Sequence, residues 1–272
     1  MSVWQELGNG VFRRRYALLD QNVGLVCGDD AALLVDTRPT PSTTRELLNE
    51  LRRLTALPIR HVVDTHFHFD HTFGNEWFPH AVIWGHRRCL ETLRASGERH
   101  RQAAMAWAPD LAAELAGVRI VAPTRAIETS IEVLVGGRPV ELHAPGRGHT
   151  DGDLIVLIPD ADVAFAGDLI EEGAPPSFED SYPVEWPATV ERLLAMAARA
   201  ADRGTVVPGH GDLVDRAFIE EQLDLLRAVA TAARDSRAGR ASVQETAARV
   251  DLPPAAAEMA IRRAYEELDV GS

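Results

Sequence analysis

Short aliphatic and β-branched runs, punctuated by Gly, Asn and Asp, dominate the first third of the chain: VFRRRYALLD, NVGLVCGDD and AALLVDTR. Runs of that length between turn residues predict successive antiparallel strands. The period then lengthens. TPSTTRELLNELRRL couples a Ser/Thr cluster, with Glu46 three residues after Thr43, to apolar positions at Leu47, Leu48, Leu51 and Leu54, which predicts a capped amphipathic helix. IRHVVDTH returns to strand and delivers the chain into the polar stretch DTHFHFDHTFGN, Asp64 to Asn75, after which AVIWGH is again a short strand. The Ala-rich stretch around residues 90–117 predicts a pair of helices over the body, interrupted near Ser96 and Gly97, as packing or as a lid. SIEVLVGG, PVELHAPG, DLIVLIPD and DVAFAGD then read as strands, EWPATVERLLAMAARA as a helix entered through Pro187, and TVVPGHGD as a buried strand ending in a glycine-rich turn. From Ala217 helix follows helix, broken at Asp251–Pro254. Strands followed by a helix in both halves predict an α/β protein with two packed sheets and helices outside. The expected organisation is one catalytic domain over 1–216 with a helical extension, 217–272, packed on it.

At 272 residues the chain buries a full core, and 46% apolar with 25% charged residues excludes wholesale disorder. A net charge of -13 repels phosphate backbones, so no nucleic-acid partner is expected. Cys27 and Cys89 are too few for a disulfide framework and form no CxxC pair. With no apolar run long enough for a membrane span and no leader-like start, the expectation is a cytoplasmic protein acting on a small molecule, free of membrane partners. The oligomeric state stays open, a homodimer included.

Metal-binding residue types recur wherever an aliphatic run stops and a turn begins: Asp36 in LLVDT, the cluster His66, His68, Asp70 and His71, then His149 in GRGHTDGD, Asp168 in FAGD and His210 in VPGHGD. A divalent zinc takes three or four nitrogen and oxygen donors, and a catalytic site leaves a position for water. In a strand or tight loop, positions i and i+2 face one side, so His66 and His68 can grip one ion, while Asp70 and His71, around the bend, can serve a second. The remaining histidines, His61, His80, His86, His100 and His143, lack partners at ligand spacing and read as ordinary surface or core residues. Phe67 and Phe69 alternate with the donors and are expected to pack behind them. The segment EEGAPPSFEDSYPVEW follows Asp168 and is a candidate pocket wall through Phe178, Tyr182 and Trp186, with a plain structural loop as the alternative.

The HxHxDH run at 66–71, with GHT at 148–150, GD at 167–168 and GH at 209–210, resembles the metallo-β-lactamase superfamily of metal-dependent hydrolases. That resemblance spans roughly residues 10–215 and implies a four-layer αββα sandwich with the metal site along one edge of the paired sheets. It implies two zinc ions, iron or manganese being compatible: His66, His68 and His149 on the first, Asp70, His71 and His210 on the second, Asp168 bridging. Water shared by two such cations ionises near neutral pH and attacks a carbonyl, with Asp70 orienting it or passing on a proton. Asp36 is expected behind the ligands, fixing an imidazole or the loop. Asp168 points away from true zinc β-lactamases and toward thioesterase, lactonase and glyoxalase II-like relatives; His68 argues against the iron flavoproteins, which carry Glu there. The implied activity is hydrolysis of a small ester, thioester or lactone, with weak β-lactam cleavage compatible. The alternative is a mononuclear iron oxygenase resembling persulfide dioxygenases.

Overall fold

The computed structural model describes residues 4–239 and 241–270. A first sheet runs in the order β1 (Gln5–Gly8), β2 (Val11–Arg15), β3 (Asn22–Cys27), β4 (Ala32–Val35), β5 (Ile59–Val63), β6 (Val82–His86) and β7 (Arg125–Ile127). Its first four strands pair antiparallel, as the short loops between them dictate. From β4 onward pairing is parallel, because α1 (Pro41–Leu54), α2 (Phe69–Thr72), α3 (Arg87–Trp107) and α4 (Ala112–Leu115) lie in the crossovers. The second sheet contains β8 (Ser130–Val135), β9 (Arg138–His143), β10 (Ile155–Ile158), β11 (Val163–Glu171) and β12 (Val206–His210), antiparallel except for the β11–β12 pair. That pair is parallel across α5 (Trp186–Met196) and α6 (Ala198–Arg203).

The residues of β10 show why four layers form. Val156 and Ile158 face the first sheet, in a core with Val26, Leu33, Val35 and Val63, whereas Ile155 and Leu157 face the helices. Burial on both faces is what an uninterrupted apolar strand requires. On the far side of the first sheet, Leu47 and Leu51 of α1 pack on Leu25, Leu34 and Val62. The outer helical layer on the second sheet joins α5 to α7 (Arg216–Ala238), α8 (Val243–Ala247) and α9 (Pro254–Val270) in one core with Val190, Leu226 and Ile261. The result is the expected αββα sandwich with C-terminal helices. Among the described residues no helix is long and apolar enough to cross a membrane.

One element differs from expectation. The break near Ser96 and Gly97 is absent: α3 continues through both and stops only before Pro109. Gly97 is there for space, since a Cβ on it would come within 3.2 Å of Ile120. A glycine inside a helix costs about 1 kcal/mol relative to alanine, less than a displaced core contact.

Candidate metal centre

Parallel strands ending at one edge gather the donors. β5 ends at Val63 and hands the chain to His66 and His68; α2 carries Asp70 and His71; the loop after β9 carries His149; β11 contributes Asp168 and β12 ends at His210. Hydrogen bonds fix the loop. Gln21 Nε2 donates to the carbonyls of Thr37 and Asp70, and the Thr37 N–H and hydroxyl both donate to the His71 carbonyl. The buried Arg38, stacked on Tyr16 with 3.9 Å to the ring centre, holds Gln21 in turn.

All seven residues expected around the ions come together. Donor atoms of His66, His68, His149 and Asp168 lie within 4.8 Å of one another, as do those of Asp70, His71 and His210. Asp168 stands between the sets: its Oδ2 is 3.6 Å from His66 Nε2, 3.5 Å from His149 Nε2 and 3.3 Å from His210 Nε2, and its Oδ1 is 3.3 Å from His71 Nε2. Asp70 Oδ2 lies 3.3 Å from His71 Nε2 and 3.4 Å from His210 Nε2. The approach is possible because residue 209 is glycine; a Cβ there would fall 1.7 Å from Asp168 Oδ1. Gly167, at φ +54, supplies a left-handed turn just before Asp168 and lets Thr65 pack against it.

His66, His68, His71 and His210 each turn one nitrogen outward to a hydrogen-bonding oxygen and the other into the cluster, while the outward Nδ1 of His149 has no hydrogen-bond partner among the described residues. His71 Nδ1 is 2.9 Å from Asp36 Oδ2, His66 Nδ1 is 3.1 Å from Thr65 Oγ1, and His210 Nδ1 is 2.7 Å from the Leu19 carbonyl. His68 Nε2 is 3.1 Å from Asp180 Oδ2, and His149 Nδ1 is 3.5 Å from Glu171 Oε1. The inward nitrogens crowd together: His149 Nε2 and His68 Nδ1 are 2.8 Å apart, His71 Nε2 and His210 Nε2 3.3 Å, and the buried His66 Nε2 and Asp168 Oδ1 lack hydrogen-bond partners among the described residues. Outer oxygens that set the tautomer and converging inner lone pairs fit divalent cations of the zinc type.

Electrostatics say the same. Burial, aided by the neighbouring imidazoles, drives His66 well below the ordinary range, and burial takes His149 to about 3. Burial acts in the same sense on His71 and His210, yet Asp168 and Asp70 override it, raising His71 well above its usual value and His210 to about 10. Asp70 shows the converse: burial would raise it, but His71 and His210 bring it to about 2. Paired carboxylates here demand positive charge, and protons on His71 and His210 answer in the absence of a cation.

Asp36 lies behind the cluster, as expected, buried and at a positive φ of 63. It accepts from the Thr65 N–H and hydroxyl as well as from His71, so it orders both donor sets. Phe67 is buried beside α3, while Phe69 reaches the cavity. Phe178, Tyr182 and Trp186 require correction, for none of them lines the cavity over the cluster. Phe178 and Trp186 are buried against each other, the indole N–H donating to the Leu169 carbonyl, and Tyr182 lies under Arg147. Their segment does form a wall, through Glu171–Pro175, Ser177, Glu179 and Asp180. Glu171, Asp180 and His100 escaped the sequence reading. A charged residue closing the apolar strand β11 was a legible signal for Glu171; Asp180 and His100 gave none, because chain distance hides their meeting with His68 and Phe67.

Comparison with known proteins bears on this site. A family profile described as the Metallo-beta-lactamase superfamily matches residues 16–210. The chain is 27% identical over 208 residues to a metallo-beta-lactamase type 2 of Bacillus cereus, covering 75% of this chain and 72% of the relative. It is 25% identical over 236 residues to a linear primary-alkylsulfatase of a Pseudomonas species, covering 73% of this chain but 43% of that protein. Among solved structures, a metallo-beta-lactamase from Pontibacter korlensis superposes with a TM-score of 0.67 at 21% identity, over 84% of this chain and 99% of the other. FIM-1 from Pseudomonas aeruginosa, in its mono-zinc form, gives 0.66 at 19% identity, over 84% and 96%. With HxHxDH, His149, Asp168 and His210 gathered at one sheet edge and the profile spanning most of the sequence, the chain belongs to the metallo-β-lactamase superfamily.

Proposed function

We propose that this chain is a dinuclear zinc hydrolase that cleaves a small ester, thioester or lactone. The observation that carries the reading is Asp168, a carboxylate within 3.6 Å of imidazoles from both donor sets, which suits two ions better than one. His66, His68 and His149 would hold one ion, Asp70, His71 and His210 the other, with Asp168 shared. Bound there, zinc would lower the pKa of water toward neutrality and polarise a carbonyl. The chain's residues supply the rest. Asp36, Thr65, Asp180 and the Leu19 carbonyl hold the ring tautomers that leave inward lone pairs free on His71, His66, His68 and His210. Asp70 stays ionised, positioned to accept a hydrogen bond from attacking water and to return a proton to the leaving group. A cavity of about 650 Å³ above the cluster, walled on one side by Phe69 and Trp107, has room for a small acyl group. A reducing, cytoplasmic setting remains our reading on cysteine usage alone.

Metal analysis of protein purified without added zinc, with ester, thioester and lactone turnover before and after chelation, tests this. The reading expects about two zinc per chain and chelator-sensitive hydrolysis. One iron per chain with oxygen consumption would replace it with the oxygenase.

A further inference from the structure

The cavity over the cluster has two unlike walls. One is apolar: Phe69 from α2 and Ala103, Ala104 and Trp107 from one face of α3, the Phe69 and Trp107 rings meeting edge-on at 6.1 Å. The other is acidic, made by Asp20 and by Glu172, Glu179 and Asp180. Two of these acids are compensated, Asp20 by Arg15 at 2.5 and 2.8 Å, and Asp180 by His68. Glu172 and Glu179 are not. Glu172 accepts from the backbone N–H of Asp212 and Glu179 from the Ser177 hydroxyl, and neither makes an ion pair among the described residues. Among the described residues no arginine lines the cavity, and the sequence contains no lysine. Glu171, on the floor, has a buried Oε1 with no hydrogen-bond partner among the described residues, 3.5 Å from His149 Nδ1.

An anionic group needs a cation or converging N–H donors to repay its lost hydration; at the rim, away from the metal donors, it would meet two carboxylates without ion pairs instead. Cations in the cluster draw on Asp70 and Asp168, leaving the acidic rim to act on the part of a substrate remote from its carbonyl. We propose, resting on the hydrolase reading, that the site sorts substrates by charge: it favours acyl compounds bearing a positive group, accepts neutral ones and rejects anionic ones. The apolar body lies against Phe69 and Trp107, and the cation lies between Glu172, Glu179 and the indole face.

The test uses the full-length zinc-loaded protein and three 4-nitrophenyl phenylacetates differing only at the para position: trimethylammonio, tert-butyl and carboxylate. The cationic ester should exceed the anionic one in kcat/KM by roughly tenfold or more at low ionic strength, the ratio shrinking with salt. Glu172→Gln with Glu179→Gln should pull that ratio toward one. An anionic ester cleaved as fast as the cationic one, or a ratio the double variant leaves unmoved, overturns the proposal. If none of the esters is hydrolysed, the hydrolase reading is decided by the metal, thioester and lactone assays above, and charge selection is judged by binding. Phenyltrimethylammonium and benzenesulfonate are then titrated against Trp107 fluorescence, taken as wild type minus Trp107→Phe, with and without zinc. Tighter binding of the ammonium upholds the charge selection; equal or tighter binding of the sulfonate refutes it.

Discussion

Replacing Asp36 with asparagine keeps the side chain's shape and a residue type that tolerates its positive φ, so only hydrogen-bond polarity changes. In the native chain both oxygens accept: Oδ1 from the Thr65 N–H at 2.8 Å, and Oδ2 from the Thr65 hydroxyl at 2.9 Å and from His71 Nδ1 at 2.9 Å. The backbone N–H cannot turn, so the amide oxygen must face it and the NH₂ must take the place of Oδ2. That NH₂ now confronts His71 Nδ1, which escapes only by losing its proton to Nε2, the atom that faces Asp70, Asp168 and His210. The Thr65 hydroxyl turns as well, accepting from the amide and donating to His66 Nδ1, 3.1 Å away, which pushes a proton onto His66 Nε2. One substitution thus opposes metal binding in both donor sets. Loss of an outer partner typically costs 10–100-fold in metal affinity, and two affected ligands place Asp36→Asn near the upper end, about 100-fold or 2.7 kcal/mol. Competition against a chromophoric chelator would measure it, with circular dichroism as a check on folding. Zinc affinity within about twofold of wild type would mean that Asp36 does not set these tautomers.

Asp168→Ala should abolish hydrolysis and lower zinc content below that of wild type while the far-ultraviolet circular dichroism is retained; full activity would remove Asp168 from its shared role. Gly209→Ala should release zinc and lower Tm, since its new methyl falls 1.7 Å from Asp168 Oδ1, and chelator titration with thermal melting reads both. Protons and zinc compete for His71 and His210. Because the folded-state pKa of each is raised, to about 10 for His210, their charge stabilises the metal-free fold below about pH 6.5 and that stabilisation fades as pH rises toward 10. Zinc-free protein should therefore lose Tm over that window, and zinc added at pH 8 in weak buffer should release protons. A flat Tm profile with no acidification would contradict the charge assignment.

What the sequence discloses here is what local chemistry enforces. Donors placed where aliphatic runs stop are legible because a strand that ends at a sheet edge presents polar residues there, as Asp36, His66 and His210 do after or at the ends of β4, β5 and β12; Asp168 lies inside β11 and His149 in the loop after β9, and they convince only together with the others. The pocket wall is harder to read for an equally physical reason. Chain proximity to Asp168 says that Phe178, Tyr182 and Trp186 are near, but the turns after β11 and the entry into α5 decide which side they face, and Phe178 and Trp186 gain more from packing together than from lining water. The vacated wall falls to small and acidic residues, Gly173, Ala174, Glu172 and Glu179, whose composition looks like any surface loop. His100 shows the same limit: a lone histidine in an Arg-rich helix carries no signal until α3 docks and sets its ring 4.7 Å from Phe67, on the face shared with Trp107. The ion-binding residues gather at one edge of the paired sheets, on strands and the segments that follow them, whereas the surface over them depends on how a helix and a loop dock. A single sequence can therefore point to the reaction more readily than to the molecule that undergoes it.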